Sequence, residues 1–158
     1  MKKKIIVFNP SIEEGGVEKN LYIISNYLIK KNIEVNILTC NKNKKKFFNK
    51  SVKFISPNSD FWSFRGRLIK YIVCTFILFL NLIKNKSNII IFSFQANIIA
   101  IVLSKIFKTR IIVRANSAPS GWSKNYLKRL VYSFLINLAD SIIVNSYEFK
   151  KDFKKLFN

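Results

Sequence analysis

A glycine-bearing loop lies near the start of the chain and reads Asn9-Pro10-Ser11-Ile12-Glu13-Glu14-Gly15-Gly16-Val17-Glu18-Lys19. The apolar run Ile5-Ile6-Val7-Phe8 precedes it. An amphipathic segment follows, in which apolar residues recur every three or four positions, at Val17, Leu21, Ile24 and Leu28. This pattern predicts a strand, a loop and a helix in that order.

Gly15 and Gly16 stand directly before the predicted helix. Because glycine has no Cβ, the pair permits positive φ angles and a close approach of the backbone to another group. In an open α/β sheet, the loop after the first strand lies at the edge where ligands bind, and the free N–H groups of a helix start attract anions such as phosphate. The residues alone leave two interpretations open: a ligand-binding loop, or a tight turn that merely closes the strand–helix unit.

The composition is that of a folded chain with a strongly basic surface. Hydrophobic residues make up 49% and aromatic residues 15% of the 158 positions, which excludes global disorder and suffices for one domain. The formal net charge is +20, from 28 Lys and Arg against 8 Asp and Glu, yet only five of the basic residues are Arg. Since base-specific contacts rely on Arg, this balance favours a diffuse cationic surface over sequence-specific nucleic-acid binding. Compositional drift, an anionic membrane surface and a phosphorylated substrate are the alternative origins of the charge.

Residue types that are missing narrow the chemistry. The chain has no histidine, which excludes an imidazole base, a Ser–His pair and a histidine metal site. Cys40 and Cys74 match no metal-ligand spacing, so we expect no metal and a reduced pair of thiols in the cytoplasm. The apolar run 5–8 is too short for a signal peptide.

Strand and helix patterns alternate along the whole chain. We predict strands at residues 5–8, 34–39, 52–56, 88–93, 110–113 and 141–144, and helices at 17–31, 61–84, 98–107, 123–138 and 147–156. Residues 40–50 form a solvated loop in this prediction, 57–60 a turn capped by Ser59 or Asp60, and 114–122 a loop. The alternation predicts an α/β fold, a Rossmann-like doubly wound parallel sheet in three α/β/α layers, as a single domain.

A membrane-spanning hairpin is the rival prediction for residues 71–104. Residues 87–104 carry no charge over 18 positions, but residues 71–83 supply only 13, too few for a hydrocarbon core of about 30 Å. The second limb also places Gln95 and Asn97 at mid-bilayer, where unpaired polar groups are costly. We therefore predict a strand, a loop and a helix at 87–104. The apolar helix 71–83 either lies in the membrane interface or packs on the sheet.

Polar residues follow four of the predicted strands. No G-x-G-x-x-G fingerprint and no phosphate-binding G-x-x-x-x-G-K-[ST] loop is present. Instead, polar groups follow the strands at 15–16, 93–97, 114–119 and 145–148. Each alone is typical of a cap or a turn, but the carboxyl ends of parallel strands meet at one edge. We therefore expect the four groups along a single rim.

The chain resembles the opening domain of the family 4 glycosyltransferases, two-domain GT-B enzymes that begin with a Gly-Gly-x-Glu-Arg loop and helix. The resemblance rests on segments in the expected order: Gly15-Gly16-Val17-Glu18-Lys19-Asn20-Leu21 with residues 33–39, Ile91-Phe92-Ser93-Phe94-Gln95-Ala96-Asn97-Ile98, Ile112-Val113-Arg114-Ala115-Asn116-Ser117, and residues 139–146. The second and third segments are similar to signatures of the branch that extends lipid-linked or polysaccharide acceptors.

The resemblance implies a hexosyltransferase-like enzyme of polysaccharide or cell-envelope biosynthesis. It would transfer a sugar from a nucleotide-sugar donor, with no further cofactor, to a glycan or lipid-linked acceptor held mainly by this N-terminal domain. By position, the substrate-binding residues are Gly15, Gly16, Lys19, Ser93, Gln95, Asn97, Arg114 and Asn116. Arg114 or Lys19 would stabilise the negative charge of the departing diphosphate. The expected location is the cytoplasm, peripheral at the inner face of an anionic membrane.

The chain departs from the family pattern in two ways. Many members carry a cleft histidine that is missing here, and Gln95 or Asn97 can replace it for binding but not as a base. The second domain with its paired-glutamate motif is also missing, so we expect a fragment or split subunit that is inactive without that domain or a complementary subunit. The alternative function is a lysine-rich, noncatalytic module that binds anionic membrane or nucleic acid through charge.

Overall fold

The computed structural model describes residues 4–84, 89–117 and 125–157. Its strands are β1 (Lys4–Phe8), β2 (Glu34–Leu38), β3 (Lys53–Ile55), β4 (Ile89–Ser93), β5 (Arg110–Ala115) and β6 (Ser141–Val144). Its helices are α1 (Gly16–Lys30), α2 (Arg67–Lys84), α3 (Asn97–Ile106), α4 (Tyr126–Asn137) and α5 (Tyr147–Phe157). The α/β, Rossmann-like class is confirmed.

The six strands form one parallel sheet in the order β3-β2-β1-β4-β5-β6. The chain runs outward from β1 to β3, crosses back through α2, and continues from β4 to β6. Strand order therefore reverses between β1 and β4, where Phe8 lies in register with Ser93. In such sheets a crevice opens beyond the carboxyl ends of these two strands.

Hydrophobic burial on both faces holds the sheet together. Successive residues of β1 point to opposite sides: Ile6 and Phe8 pack with α2, α3, α4 and α5, while Ile5 and Val7 pack with α1. Burial on both faces explains why the central strands are continuous apolar runs rather than alternating patterns.

The predicted helix 61–84 is wrong at its start. A short 3-10 helix, Asp60–Phe64, comes first, and its N-cap Ser59 accepts a hydrogen bond from Phe61 N–H at 3.2 Å, as the predicted turn requires. Arg65 is extended, and α2 begins after Gly66. Glycine is a weak helix former, so the helical pattern is interrupted there.

The predicted solvated loop at 40–50 is wrong in part. Cys40 and Asn41 are buried, and a 3-10 helix covers Lys42–Phe47. Phe48 is buried and packs edge-on against Tyr22 with ring centroids 4.7 Å apart. Because Phe48 packs on α1, the lysine-rich 3-10 helix that precedes it lies against the α1 side of the sheet.

Strand β5 is longer than predicted and reaches Ala115, so Arg114 belongs to the strand and not to the following loop. Residues 118–122 of that predicted loop, and 123–124 of the predicted helix, lie outside the described residues. The other elements match the prediction within one or two residues. The predicted start of the fourth strand, residue 88, also lies outside the described residues.

The membrane-hairpin alternative fails at β4. Residues 89–93 form a strand of the central sheet, hydrogen-bonded between β1 and β5. Within the described residues, no helix combines the length and the apolar composition that crossing a bilayer requires.

Candidate functional site

The loop after β1 is fixed by the ends of both neighbouring strands. Ser11 N–H donates to the Gln95 side chain beyond β4 at 3.1 Å, and Ile12 N–H donates to the Asn41 side chain beyond β2 at 3.1 Å. The loop is therefore anchored on both sides before it reaches Gly15 and the start of α1.

The two glycines of this loop matter for space rather than for backbone conformation. Gly15 is extended, with φ 169°, and none of the described glycines adopts the left-handed conformation that the glycine pair permits. A Cβ on Gly15 would lie 3.2 Å from the buried Glu18 carboxylate, whereas a Cβ on Gly16 would meet nothing within 4 Å. Gly16 thus faces open space at the N-terminus of α1.

The step between β4 and α3 is a closed network of side-chain amides and hydroxyls. Ser93 Oγ is fully buried and lies 2.8 Å from Asn97 Oδ1, and Asn97 Nδ2 donates to the Arg114 carbonyl at 2.9 Å. Asn116 Nδ2 donates to the Phe94 carbonyl at 2.8 Å. These bonds join the ends of β4 and β5 into one rigid rim.

Arg114 is a buried cation held by neutral partners. Only 5% of the residue is exposed, and its guanidinium donates to Asn116 Oδ1 at 2.9 Å and to Asn145 Oδ1 at 2.7 Å. Among the described residues no carboxylate forms a salt bridge with it. Burial lowers the pKa of Arg114, and the negative charge of Glu18 acts in the opposite direction. The end of β5 therefore carries positive charge that no neighbouring anion neutralises by direct contact.

A cleft of about 450 Å³ opens beyond the carboxyl ends of β1 and β4. We call it the polar cleft; its walls are residues 13–18, 67, 71, 94–97, 116 and 117. It lies at the reversal of strand order, where the topology predicts a ligand. Side-chain amides and carboxylates supply most of its polar groups.

The outer wall of the polar cleft comes from α2. Arg67 forms an ion pair with Glu13, and its Nε donates to Glu13 Oε1 at 3.1 Å. This hydrogen bond from Arg67 lowers the pKa of Glu13, while partial burial raises the pKa of Tyr71. The cation in this wall is therefore already matched by a carboxylate, and Tyr71 keeps its phenolic proton.

A second opening of about 620 Å³ lies on the α1 side of the rim. We call it the arginine groove; it is lined by residues 16, 17, 20, 24, 114 and 143–145. Gly16 contributes to both the polar cleft and the arginine groove, so one glycine stands at their boundary. Among all the residues that the structure describes, no three His, Cys, Asp or Glu side chains are grouped to hold a metal ion.

The family model described as Glycosyltransferase Family 4 matches residues 14–158 of the chain. The chain belongs to this family. A search of curated proteins gives no match. The family 4 domain also has structural neighbours among GT-B glycosyltransferases.

One neighbour of the family 4 domain is the crystal structure of Anabaena HepE in complex with UDP and glucose. The TM-score is 0.61 at 16% identity, over 98% of this chain and 41% of HepE. Another is a UGT transferase from Siraitia grosvenorii in complex with UDP, with a TM-score of 0.48 at 17% identity, over 87% of this chain and 32% of that one. The domain thus spans less than half the length of either neighbour. The first comparison shows that this domain has the same fold as the matched part of HepE.

Most residues predicted for the site in the family 4 domain gather at this rim. Those that line the polar cleft are Gly15, Gly16, Gln95, Asn97 and Asn116. Arg114 lines the arginine groove. Ser93 lies beneath the rim as a hydrogen-bonding support, and Lys19 is exposed on α1 and lines neither opening.

Glu18, Arg67 and Tyr71 are among the residues that line the polar cleft of the family 4 domain and were missed by sequence reasoning. Glu18 belongs to the glycine-bearing loop segment, but no sequence pattern indicates that it is buried beneath Gly15. Arg67 and Tyr71 arrive from α2, which returns to the rim after crossing from β3, and the apolar pattern of that helix pointed to packing or a membrane interface.

Proposed function

We propose that this domain forms the acceptor side of a glycosyltransferase that moves a sugar from a nucleotide diphosphate donor to a lipid-linked or polysaccharide acceptor. The supporting observation is the position of Gly16 between two openings of different chemistry. A sugar acceptor and an anionic leaving group can meet at that boundary.

The polar cleft suits the hydroxyl groups of a glycan. The amide of Gln95 and the carboxylates of Glu14 and Glu18 line its wall. Asn97 and Asn116 hold the rim beside them through hydrogen bonds within the protein. Its wall cation Arg67 is paired with Glu13, so no free positive charge favours a phosphate at that point. Neutral polyols are bound by such mixed donor and acceptor sets.

The arginine groove suits the diphosphate. A preorganised cation in a poorly solvated site stabilises the charge that develops on a departing diphosphate far more than a solvated lysine does. Arg114 fulfils this condition, because Asn116 and Asn145 fix its guanidinium without neutralising it. We assign the leaving-group role to Arg114 in preference to Lys19, which is exposed. In this proposal the donor nucleotide-sugar needs no further cofactor here.

The rim is open on its outer side, so we infer that transfer needs a second wall. In the proposal a donor-binding domain or complementary subunit supplies it, and the 158-residue chain is inactive alone. Measured turnover of a nucleotide-sugar by this chain alone would contradict that part of the proposal while leaving the assignment of Arg114 intact.

We further propose that the domain is cytoplasmic and peripheral at an anionic membrane. On the outer side of α2, apolar residues recur every third or fourth position; we call Leu68, Ile72, Phe76, Leu80 and Ile83 the outer stripe, all of them exposed. A patch of this kind with a net charge of +20 favours an anionic lipid surface. In the reducing compartment that we propose, Cys40 and Cys74, whose Sγ atoms lie 3.5 Å apart, remain thiols.

UDP binding tests the proposed function, with NMR shifts of assigned amides as the measurement. We expect UDP to shift Gly16, Arg114 and Asn145, and Gly16→Leu to abolish these shifts by filling the boundary. Gly66→Leu is the matched control, since a Cβ there also meets nothing within 4 Å and Gly66 lines neither opening.

The alternative, a noncatalytic lysine-rich module, predicts a different outcome. UDP would then shift dispersed surface lysines, Gly16→Leu would bind it equally well, and the shifts would weaken as added salt screens the charges. That result would overturn the glycosyltransferase assignment of the site.

A further inference from the structure

A third opening, which is apolar, adjoins the polar cleft. This apolar pocket has a volume of about 420 Å³ and lies between α2, α3 and α4. Its walls are Tyr71, residues 96–99, Tyr132 and Ile136. Hydrocarbon dominates these walls, and the polar groups among them are the two tyrosine hydroxyls and one side-chain amide.

That amide does not make the apolar pocket polar. Asn97 Oδ1 accepts from Ser93 at 2.8 Å, and Asn97 Nδ2 donates to the Arg114 carbonyl at 2.9 Å. Both ends of the amide are thus engaged within the protein. A ligand in this pocket meets mainly aliphatic and aromatic surface.

The apolar pocket and the polar cleft are adjacent. Tyr71, Ala96 and Asn97 line both of them, so a molecule that passes over this shared edge can occupy both openings. Ala96 has φ 51° in the left-handed region, which turns the chain sharply into α3 at this junction. The two openings therefore meet at the turn that leads from β4 into α3.

We propose that the acceptor is an amphiphile, whose sugar lies in the polar cleft and whose alkyl or prenyl chain lies in the apolar pocket. This rests on the proposed function, and it selects the lipid-linked acceptor over the polysaccharide. A polysaccharide extends as hydroxyl-bearing rings in both directions and gains little from the apolar pocket. The outer stripe of α2, which follows the wall residue Tyr71 with Ile72, brings the same helix to a lipid surface.

Paired glycosides that differ only in their chain test this inference. The probes are methyl β-D-glucoside and octyl β-D-glucoside below its micelle concentration, titrated into the 158-residue chain by methyl NMR. Each methylene that becomes buried strengthens binding about fourfold. We expect the octyl compound to bind at least about tenfold tighter, with shifts at the Ile98 and Ile99 methyls.

Ile99→Asp places a charge at the wall of the apolar pocket, at a residue that is 40% exposed. We expect it to remove the gain from the octyl chain. Ile106→Asp is the matched control, two turns along the same face of α3 and outside the pocket, and it keeps the gain.

Three results would overturn the proposal: equal affinities for the two glycosides, a gain that survives Ile99→Asp, or an equal loss in Ile106→Asp. Should Ile99→Asp fail to fold, the shift map of the unaltered chain decides, with the exposed Ile23 methyls on the opposite face of the sheet as reference. If UDP shifts Arg114 but the octyl glucoside binds no tighter than the methyl glucoside, the lipid acceptor is refuted and the proposed transfer function stands. If the octyl glucoside binds tighter but UDP causes no shifts, the transfer function is refuted and the apolar pocket is a lipid-binding site without that function.

Discussion

The side-chain carbonyl of Gln95 accepts a hydrogen bond from Ser11 N–H at 3.1 Å, across 84 positions of sequence. This bond joins the loop after β1 to the step after β4, on the two sides of the reversal in strand order. Ser11 is fully buried, so water cannot substitute for the acceptor. One amide oxygen therefore ties the β1 side of the polar cleft to its β4 side, in addition to the anchor that Asn41 provides beyond β2.

Replacing Gln95 with Leu should destabilise the protein by about 1–3 kcal/mol, because the buried Ser11 N–H loses its acceptor. Urea unfolding measures the change. Gln95→Glu retains an oxygen at the same position and serves as the control, with a smaller loss. Equal stability of the Leu variant and the unaltered protein would contradict the role given to this bond.

Asp140 joins the start of β6 to the start of β5. Its carboxylate accepts from Ile111 N–H at 2.7 Å and from Lys105 Nζ at 3.1 Å. Burial on its own would raise the pKa of Asp140, but the hydrogen bonds from Ile111 and Lys105 together outweigh it and hold the pKa below its ordinary value.

A depressed pKa in the folded state stabilises the protein above the unfolded value, about pH 4, and this stabilisation is lost as pH falls through the folded pKa. Asp140→Asn should therefore lower the free energy of unfolding at neutral pH, with the difference shrinking in acid. Urea titrations across this range measure it, with the exposed Asp60→Asn as control. A deficit that stays constant in acid would refute the electrostatic explanation.

The Cys40–Cys74 thiol pair should be unreactive in the folded protein. Hydrogen bonding to Cys40 and burial raise the pKa of Cys74, while the hydrogen bond from Cys74 lowers the pKa of Cys40. Both residues are at most 2% exposed, so the thiolate that forms more readily is shielded from reagent. We expect slow reaction with Ellman's reagent until urea unfolds the chain. Fast labelling of the native protein would show that the α2 contact opens readily.

The outer stripe should mediate lipid binding. Ile72→Glu introduces a negative charge at a residue that is 63% exposed, and should sharply reduce sedimentation with vesicles that contain anionic lipid. Ile23→Glu is the matched control, because Ile23 is 58% exposed on α1, across the sheet. Equal losses in both variants would mean that net charge alone drives the association.

Much of the fold could be predicted because its local and global signals agree. The strand–loop–helix at 5–28 and the apolar run of β4 are built from residues whose local pattern matches their final burial. The break before α2 was missed because an apolar segment with one glycine reads as continuous helix. The convergence of polar strand ends was expected because parallel strands share an edge.

Three features of the rim could not be predicted from the sequence: the conformation of Gly15, the partners of Arg114 and the position of Tyr71. Gly15 is extended, which no sequence pattern distinguishes from a left-handed turn. Arg114 falls within β5, and its neutral partners lie two and 31 positions away. Tyr71 reaches the cleft through a crossover from the far edge of the sheet, and sequence spacing carries no information about that path.

Helix α2 has hydrocarbon on opposite sides, with Leu78 and Leu82 inward and Phe76 and Leu80 outward. Turning such a helix half a revolution about its axis would bury a similar apolar area, so hydrophobicity does not set its azimuth. Polar contacts set the rotation of the helix instead. Arg67 pairs with Glu13, Lys70 Nζ donates to Ser11 Oγ at 3.4 Å, and the Cys40 thiol points toward the Lys70 carbonyl. A few polar contacts at the N-terminal end of this apolar helix thus set the direction in which Tyr71 faces the polar cleft and the apolar pocket.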